Sequence, residues 1–179
     1  MPSPIAHGLA GLTVHLLSAH EGEELRNPIR AALLVGTAMA ADVDLLFRLV
    51  DGRNHHGGVS HSLGAALAVS LVAAAGASLM RLARPLAVGW SAGLAWVTHL
   101  VLDYLSRDTQ PPIGLMALWP FDAGYYKFPW PLFLDVGRSL GWATVRHNLM
   151  AVGWELVVLF PAVILVGIHR RRSLPARGE

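Results

Sequence analysis

The spacing of His99 and Asp103 allows both side chains to bind one metal ion. Residues four apart in a helix lie on the same face, one turn from each other, and can reach a single ion or a close pair of ions. A hydrogen bond between the two side chains is the ordinary alternative, because polar pairs at this spacing are common. The pair is therefore informative only if other parts of the chain supply further ligands.

Two other stretches offer the same ligand types. Asp42 and Asp44 follow an apolar stretch, and in a regular helix they point about 200° apart. Either the helix is distorted there, or one carboxylate binds metal while the other holds a ligating histidine. His56 and His61 flank a glycine turn that lets residues five apart converge. Taken separately, the two histidines could equally belong to a polar surface loop. The two carboxylates could form a solvated helix end, but the apolar stretch that runs directly into them disfavours that reading.

Together these elements, with an early histidine, predict a metal centre. The candidate ligands are His7, Asp42, Asp44, His56, His61, His99 and Asp103. The chain has no cysteine, so the ligands are imidazole and carboxylate, which suit zinc or a similar divalent ion. The number of carboxylates allows one to three ions. Such a site activates a water molecule as nucleophile and polarises a phosphoryl or carbonyl group, with Asp42 or Asp44 as the catalytic proton acceptor.

The elements that must position these residues are helices. The hydrophobic pattern predicts an all-α chain with about five of them, over residues 4–19, 28–50, 63–80, 85–102 and 149–168, with a polar turn at 21–24. Ser3, Asn27 and either Ser60 or Ser62 are the predicted caps. The positive end of the helix after Ser60 and Ser62 favours an anion such as phosphate nearby, so we expect both serines to contact substrate.

Composition indicates that lipid is part of the solvent. Hydrophobic residues make up 54% of the 179 residues and charged residues only 15%, whereas soluble domains carry about a quarter charged residues. A soluble helical protein with a large core is the alternative. The last apolar segment is closed by Arg170–Arg172, which is typical of a membrane anchor. The net charge of +2, with scattered basic residues, does not indicate a nucleic-acid partner.

The predicted topology brings the candidate ligands to one side of the membrane. The positive-inside rule places Arg170–Arg172 in the cytoplasm, and alternation through the helices then places every candidate ligand toward the extracytoplasmic face. We therefore expect residues 1–179 to form one membrane-embedded helical bundle. Residues 107–147 would form an irregular extramembrane loop or lid before the last helix, and residues 170–179 a basic cytoplasmic tail. The oligomeric state is left open.

The order of these motifs resembles the YdjM-like family of membrane-bound metal-dependent hydrolases. The resemblance covers about residues 5–121, and Gly57 and Ser60 stand where that family typically has Arg and Thr. It rests on His7, Asp42-x-Asp44, His56-Gly57-Gly58-Val59-Ser60-His61-Ser62, His99-x-x-x-Asp103 and Trp119-Pro120-Phe121. A looser similarity to zinc-dependent phospholipase C implies a phosphoester substrate derived from lipid. In that case the segment around Trp119 would be a lid or headgroup collar, although Trp and Tyr also favour the membrane interface in general.

The leading hypothesis is therefore a membrane-bound metal-dependent hydrolase that cleaves a phosphoester, either a small molecule or a membrane lipid. The alternative is a non-catalytic membrane protein, either a metal transporter or a scaffold that binds a regulator, with a structural metal site. A transporter should carry ionisable groups on both sides of the bilayer midplane, and a closed structural zinc site usually has four ligands. The candidate set fits neither pattern well.

Overall fold

The computed structural model describes residues 1–20 and 22–173. This part of the chain is all-α and contains two isolated β-bridges but no β-sheet. Two 3-10 helices, Ala40–Leu46 and Val59–His61, accompany the α-helices. The α-helices are α1 (Pro4–Ser18), α2 (Gly22–Arg26), α3 (Pro28–Met39), α4 (Arg48–Asp51), α5 (Leu63–Leu79), α6 (Pro85–Tyr104) and α7 (Trp142–Ser173). Helix α1 packs against α3, α6 and α7, and α5 packs against α6.

Small residues let these helices approach closely. A Cβ atom added at Gly11 of α1 would lie 2.7 Å from the Leu34 carbonyl oxygen of α3. One added at Gly89 of α6 would lie 2.6 Å from the Ser70 carbonyl oxygen of α5. Small residues at helix contacts are typical of helices that pack by van der Waals contact within a membrane. They bring the backbones of α1, α3 and α6 close enough for short polar side chains to meet between them.

The predicted caps are confirmed. Ser3 Oγ accepts a hydrogen bond from the Ala6 amide, and Asn27 Oδ1 accepts from the amides at the start of α3. Of the two serines considered before α5, Ser62 is the cap, and its Oγ accepts from the Ala65 amide at 3.0 Å. Each cap satisfies an amide that has no partner within its helix.

The prediction of one helix over residues 28–50 is wrong. Helix α3 ends at Met39, and the chain continues as the 3-10 helix Ala40–Leu46 before α4. A 3-10 helix has three residues per turn, so this segment changes the directions of Asp42 and Asp44. The predicted polar turn at 21–24 is the short helix α2, with Glu21 outside the described residues.

The last helix begins earlier than predicted, at Trp142 rather than at Leu149. Asn148 fixes the preceding segment, because its side-chain amide accepts from the Gly137 amide and donates to the Gly137 carbonyl. The polar residues that suggested a loop are thus the first turns of α7, and the irregular segment covers residues 105–141. Arg170–Arg172 lie within α7, and the rest of the expected tail, residues 174–179, lies outside the described residues.

Two of the described helices, α6 and α7, are long and apolar enough to cross a membrane. Helix α5 is apolar too, but it has only 17 residues. The all-α class is therefore confirmed, while the predicted bundle of five membrane-embedded helices remains a hypothesis.

The irregular segment is held against the loop before α5. Leu115 and Tyr126 exchange two backbone hydrogen bonds, and the Met116 amide donates to the Gly57 carbonyl at 2.8 Å. The Leu63 amide donates to the Ala117 carbonyl at 2.9 Å. Gly57 has a φ of +78°, and a Cβ atom there would lie 2.5 Å from the Gly114 carbonyl oxygen. Glycine at position 57 is therefore required both by backbone conformation and by space.

Gly57→Ala should lower the thermal stability of the detergent-solubilised protein more than Gly52→Ala does. Gly52 has a similar φ of +73° but no neighbouring atom within 4 Å of an added Cβ. Gly52→Ala therefore measures only the cost of placing alanine at a positive φ, which is about 1–2 kcal/mol. That cost corresponds to a decrease of about 2–8 °C in Tm. The contact with Gly114 should make the decrease for Gly57→Ala at least twice as large. Equal decreases in the two variants would contradict the proposed close packing.

Candidate metal centre

All seven candidate ligands meet at one end of the helices, where they form the His–Asp cluster: His7, Asp42, Asp44, His56, His61, His99 and Asp103. His7 comes from the first turns of α1, and His99 and Asp103 come from the last turns of α6. The 3-10 helices and the loop between them supply the other members. The side chains of His7, His61 and His99 are completely buried.

Asp103 lies at the centre of the His–Asp cluster. Its Oδ2 atom is 3.3 Å from His61 Nε2 and 3.2 Å from His99 Nε2, while its Oδ1 atom is 3.5 Å from His7 Nε2. The ligand atoms form two groups that could each hold an ion, and both groups contain Asp103. The first group is Asp42, His56, His61 and Asp103, and the second is His7, His99 and Asp103. Asp103 would therefore be a ligand common to both candidate sites.

The hydrogen bonds of His61 and His99 determine which ring nitrogens face the centre as acceptors. His99 Nδ1 lies 2.7 Å from the Ala38 carbonyl oxygen, which can only accept, so Nδ1 carries the proton. His61 Nδ1 lies 3.0 Å from the acceptor Asp44 Oδ2. Each neutral ring then presents a lone pair at Nε2, and the two Nε2 atoms are 3.0 Å apart. Two lone pairs at this distance repel each other unless they share a cation, either a metal ion or a proton.

The buried polar atoms of the cluster also point to a cation. Within the described residues, every buried side-chain nitrogen or oxygen without a hydrogen-bond partner belongs to this cluster. These atoms are both ring nitrogens of His7, both carboxylate oxygens of Asp103, Oδ1 of Asp42, Oδ1 of Asp44 and Nδ1 of His56. A buried polar atom without a partner costs about 1–3 kcal/mol, and bound cations would satisfy the acceptors among these atoms, which are the carboxylate oxygens and the unprotonated ring nitrogens.

Asp42 and Asp44 occupy different positions around His61. Asp42 Oδ1 faces the Nε2 side, 3.7 Å from His61 and 3.6 Å from His99. Asp44 Oδ2 lies on the opposite, Nδ1 side and also accepts a hydrogen bond from Ser60 Oγ at 2.6 Å. A carboxylate on the far nitrogen of a ligating histidine orients the ring and raises its basicity. The 3-10 helix therefore lets one carboxylate face the centre while the next holds a histidine.

The electrostatics of Asp44 and His61 are those of a coupled pair. Burial raises the pKa of Asp44, but the neighbouring imidazoles of His56 and His61 and a hydrogen bond from Ser60 outweigh burial and hold that pKa far below its usual range. Burial lowers the pKa of His61, but its contacts with Asp103, Asp42 and Asp44 outweigh burial and raise that pKa well above its usual range. The carboxylates thus concentrate negative charge around the ring, which is the field that a cation site needs.

Glu155 of α7 supports the cluster from outside it. Its carboxylate is completely buried, and Oε1 accepts a hydrogen bond from the Ser3 amide at 2.7 Å. The other oxygen accepts from Ser3 Oγ. Since His7 lies one turn after Ser3, these bonds fix the start of the helix that carries His7. The position of Glu155 in an otherwise apolar helix is the sequence signal that this carboxylate has a buried partner.

The predicted substrate-binding residues lie in three different settings. Ser60 contacts Asp44 and His61. Ser62 is completely buried as the cap of α5, and its hydroxyl donates to the Val59 carbonyl. Trp119 lies outside the cluster, with its ring and carbonyl packed against Gly64 at the start of α5.

Two openings border the centre. A cavity of about 10 Å³ is lined by His56, Asp103 and Lys127, among others, and this space fits about one water molecule. An apolar groove of about 300 Å³ lies between the start of α5, the last turns of α6 and the irregular segment. Leu115 and Tyr126 line both spaces, so they separate the polar centre from the apolar groove.

These features define a class: an all-α protein with two helices suited to a bilayer and a buried His–Asp cluster that could bind metal at one end of its bundle. A family model described as YdjM inner membrane protein matches residues 1–173, and the chain belongs to that family. The resemblance inferred from the motifs is thereby confirmed. No curated protein and no solved structure matched the chain in the comparisons.

Asp44→Asn should weaken zinc binding by a factor on the order of 10–100, because the amide cannot replace the charge that holds His61. Competition titration with a zinc chelator would measure the change. Asp122→Asn is the matched control, because Asp122 is an exposed carboxylate that bonds Tyr126 and the Gly124 amide outside the cluster. An unchanged zinc affinity in Asp44→Asn would show that Asp44 does not support the centre.

Proposed function

We propose that this protein is a membrane-embedded, metal-dependent hydrolase that cleaves a phosphoester. The observation that carries the proposal is the position of Asp103 between two groups of buried ligand atoms that lack hydrogen-bond partners. Paired divalent ions bridged by a carboxylate are a common arrangement for phosphoester hydrolysis. Hydrolysis therefore fits this centre better than a closed structural site does.

Zinc is the cation that we assign to the centre, with two ions as the favoured number within the expected range of one to three. The donors are imidazole nitrogens and carboxylate oxygens, which suit zinc and related divalent ions. Bound there, the ions would lower the pKa of a water molecule and polarise a phosphoryl oxygen. His7, Asp42, His56, His61, His99 and Asp103 would be the ligands.

Asp44 is the side chain that we assign as proton acceptor. Its Oδ2 atom is occupied by Ser60 and His61, but its buried Oδ1 atom has no hydrogen-bond partner and lies 3.6 Å from His56 Nδ1. Asp42 is better suited as a ligand, because its Oδ1 atom faces three histidines.

Lys127, which lines the same small cavity as Asp103, would meet the negative charge of an entering phosphate.

A lipid-derived substrate fits the surroundings of the centre. The groove along α5 and α6 is lined by Leu63, Val97 and Leu100, among other apolar side chains, and ends at the Leu115–Tyr126 boundary. An acyl or isoprenoid chain in this groove would bring an attached phosphate to the polar side of that boundary. Ser60 and Trp119 remain proposed substrate contacts, Ser60 at the centre and Trp119 in the segment above α5. Ser62 is the least suited of the three because its hydroxyl is engaged within the fold.

The membrane placement supports this route for a substrate. Large apolar side chains are exposed on several helices, including Leu33, Val72, Trp90 and Leu165. We infer that α1, α3 and α5 are embedded together with α6 and α7, and that the His–Asp cluster faces the extracytoplasmic side. Arg170–Arg172 at the other end of α7 agree with a cytoplasmic C-terminus under the positive-inside rule.

The double variant His99→Ala/Asp103→Ala should lose most of the metal that purifies with the wild type. Metal analysis of the protein in detergent should give about two divalent ions per wild-type chain, as expected for a two-metal centre. The matched control is Asp135→Ala/His147→Ala, which removes a His–Asp pair 3.7 Å apart outside the cluster. Equal metal content in wild type and His99→Ala/Asp103→Ala would exclude the proposed centre.

Zinc-loaded protein should hydrolyse phosphodiesters such as bis-p-nitrophenyl phosphate or p-nitrophenylphosphorylcholine, with little action on the carboxylic ester p-nitrophenyl butyrate. Asp44→Asn, measured at saturating zinc, should reduce turnover on the order of 10²-fold or more, because it removes the proton acceptor. Asp122→Asn should leave turnover unchanged. Metal binding without hydrolysis of any phosphoester tested would reject the enzyme and favour a structural centre.

A further inference from the structure

A second cavity lies at the opposite end of α1 from the His–Asp cluster. The cavity has a volume of about 470 Å³ and is bounded by α1, by the junction of α2 and α3, and by α7. His15, on its wall, follows His7 by roughly 12 Å along the helix axis. This cavity is therefore separate from the metal centre, and its chemistry is different.

The cavity combines apolar walls with two cationic side chains. Leu12 and Leu16 of α1 face Ile164 and Ile168 of α7 across it. Arg26 and Arg171 also line the cavity and are exposed. Within residues 1–20 and 22–173, neither guanidinium has a hydrogen bond or an ion pair, so both are available to a ligand.

A third guanidinium lies behind the wall and adds to the positive field. Arg30 donates to His15 Nδ1 at 3.0 Å and to the hydroxyls of Ser18 and Ser91, all of which are neutral acceptors. The nearest charge acting on Arg30 is Glu24, whose carboxylate accepts a hydrogen bond from the His20 amide.

Arg170 completes this end of the bundle. Its guanidinium caps α1 by donating to the carbonyls of Leu16 and Ala19. Among the described residues at this end of the bundle, the basic side chains of Arg26, Arg30, Arg170 and Arg171 outnumber the two glutamates of α2, Glu23 and Glu24. Positive charge is therefore in excess around an apolar cavity.

We propose that this cavity is a binding site for an anionic phospholipid, with the headgroup phosphate between Arg26 and Arg171 and an acyl chain along the leucines and isoleucines. Guanidinium groups bind phosphate oxygens in a bidentate geometry. Basic pockets between membrane helices on the cytoplasmic side recognise anionic headgroups by this chemistry. The site requires no hydrolytic activity at the His–Asp cluster and does not rest on the proposed function.

Charge complementarity selects this occupant over a zwitterionic lipid or a free anion. A zwitterionic headgroup brings a cation next to two guanidinium groups that form no ion pair within the described residues. Inorganic phosphate would neutralise the arginines but leave the apolar walls without a partner. Only an anion carrying a hydrocarbon chain satisfies both parts of the cavity.

Thermal unfolding of the full chain in dodecyl maltoside tests the proposal, with dioleoylphosphatidylglycerol, dioleoylphosphatidylcholine or sodium phosphate added at equal concentrations. Phosphatidylglycerol should raise the Tm of the wild type by about 5 °C near saturation, and the other two additives by much less. Arg26→Ala/Arg171→Ala should abolish this difference, whereas Arg26→Lys/Arg171→Lys should retain part of it. Both arginines are exposed, and neither side chain makes a hydrogen bond or ion pair with the other described residues, so their replacement leaves the packing intact.

The matched control is Arg53→Ala/Arg146→Ala, which removes the same charge from exposed positions away from this cavity and should respond as the wild type does. An equal rise for Arg26→Ala/Arg171→Ala and the wild type would overturn the site. If phosphatidylcholine raised the Tm as much as phosphatidylglycerol does, the effect would be general solvation by lipid and not binding of an anionic headgroup. If sodium phosphate raised the Tm equally, the acyl chain would not contribute to binding, and the proposed lipid site would be wrong. The zinc content of Arg26→Ala/Arg171→Ala should equal that of the wild type, which separates this test from the metal centre.

Discussion

The approach of His61 and His99 through their Nε2 atoms is the constraint on which the centre depends. At 3.0 Å, with each Nδ1 atom bonded to an acceptor, the two rings need a shared cation. The surrounding ligands share this need, because Asp103 and His7 also have buried polar atoms without partners. The start of α1, the end of α6 and the segment after α3 therefore meet around a shared cation, either a metal ion or a proton.

The helix break after Met39 links this constraint to the backbone. The Ala38 carbonyl is bonded to His99 Nδ1, and two residues later the chain passes into the 3-10 helix that carries Asp42 and Asp44. A regular helix would turn the two carboxylates about 200° apart. The tighter winding instead places Asp42 toward the Nε2 side of His61 and Asp44 toward its Nδ1 side. The polar contact made by Ala38 and the distortion of the helix thus serve the same group of ligands.

The sequence predicted those parts of the structure that depend on local spacing. The shared face of His99 and Asp103 follows from helix geometry, and Ser62 as a cap follows from its position before an apolar run. The break at Ala40 was not predictable, because it is favoured by contacts with α6 that lie far away in sequence. The pairing of Glu155 with Ser3 spans 152 residues, and no periodicity reveals such a partner. The early start of α7 was missed because polar residues in a first helical turn resemble those of a loop.

That same contact between Glu155 and Ser3 has a consequence for biosynthesis. Translation delivers Ser3 and His7 well before Glu155, so the buried contact that fixes the start of α1 forms only after α7 has been synthesised. Until then the start of α1, which carries His7, lacks this contact. A nascent polypeptide stalled before α7 would therefore display the histidines and aspartates of the cluster without the contact that fixes His7.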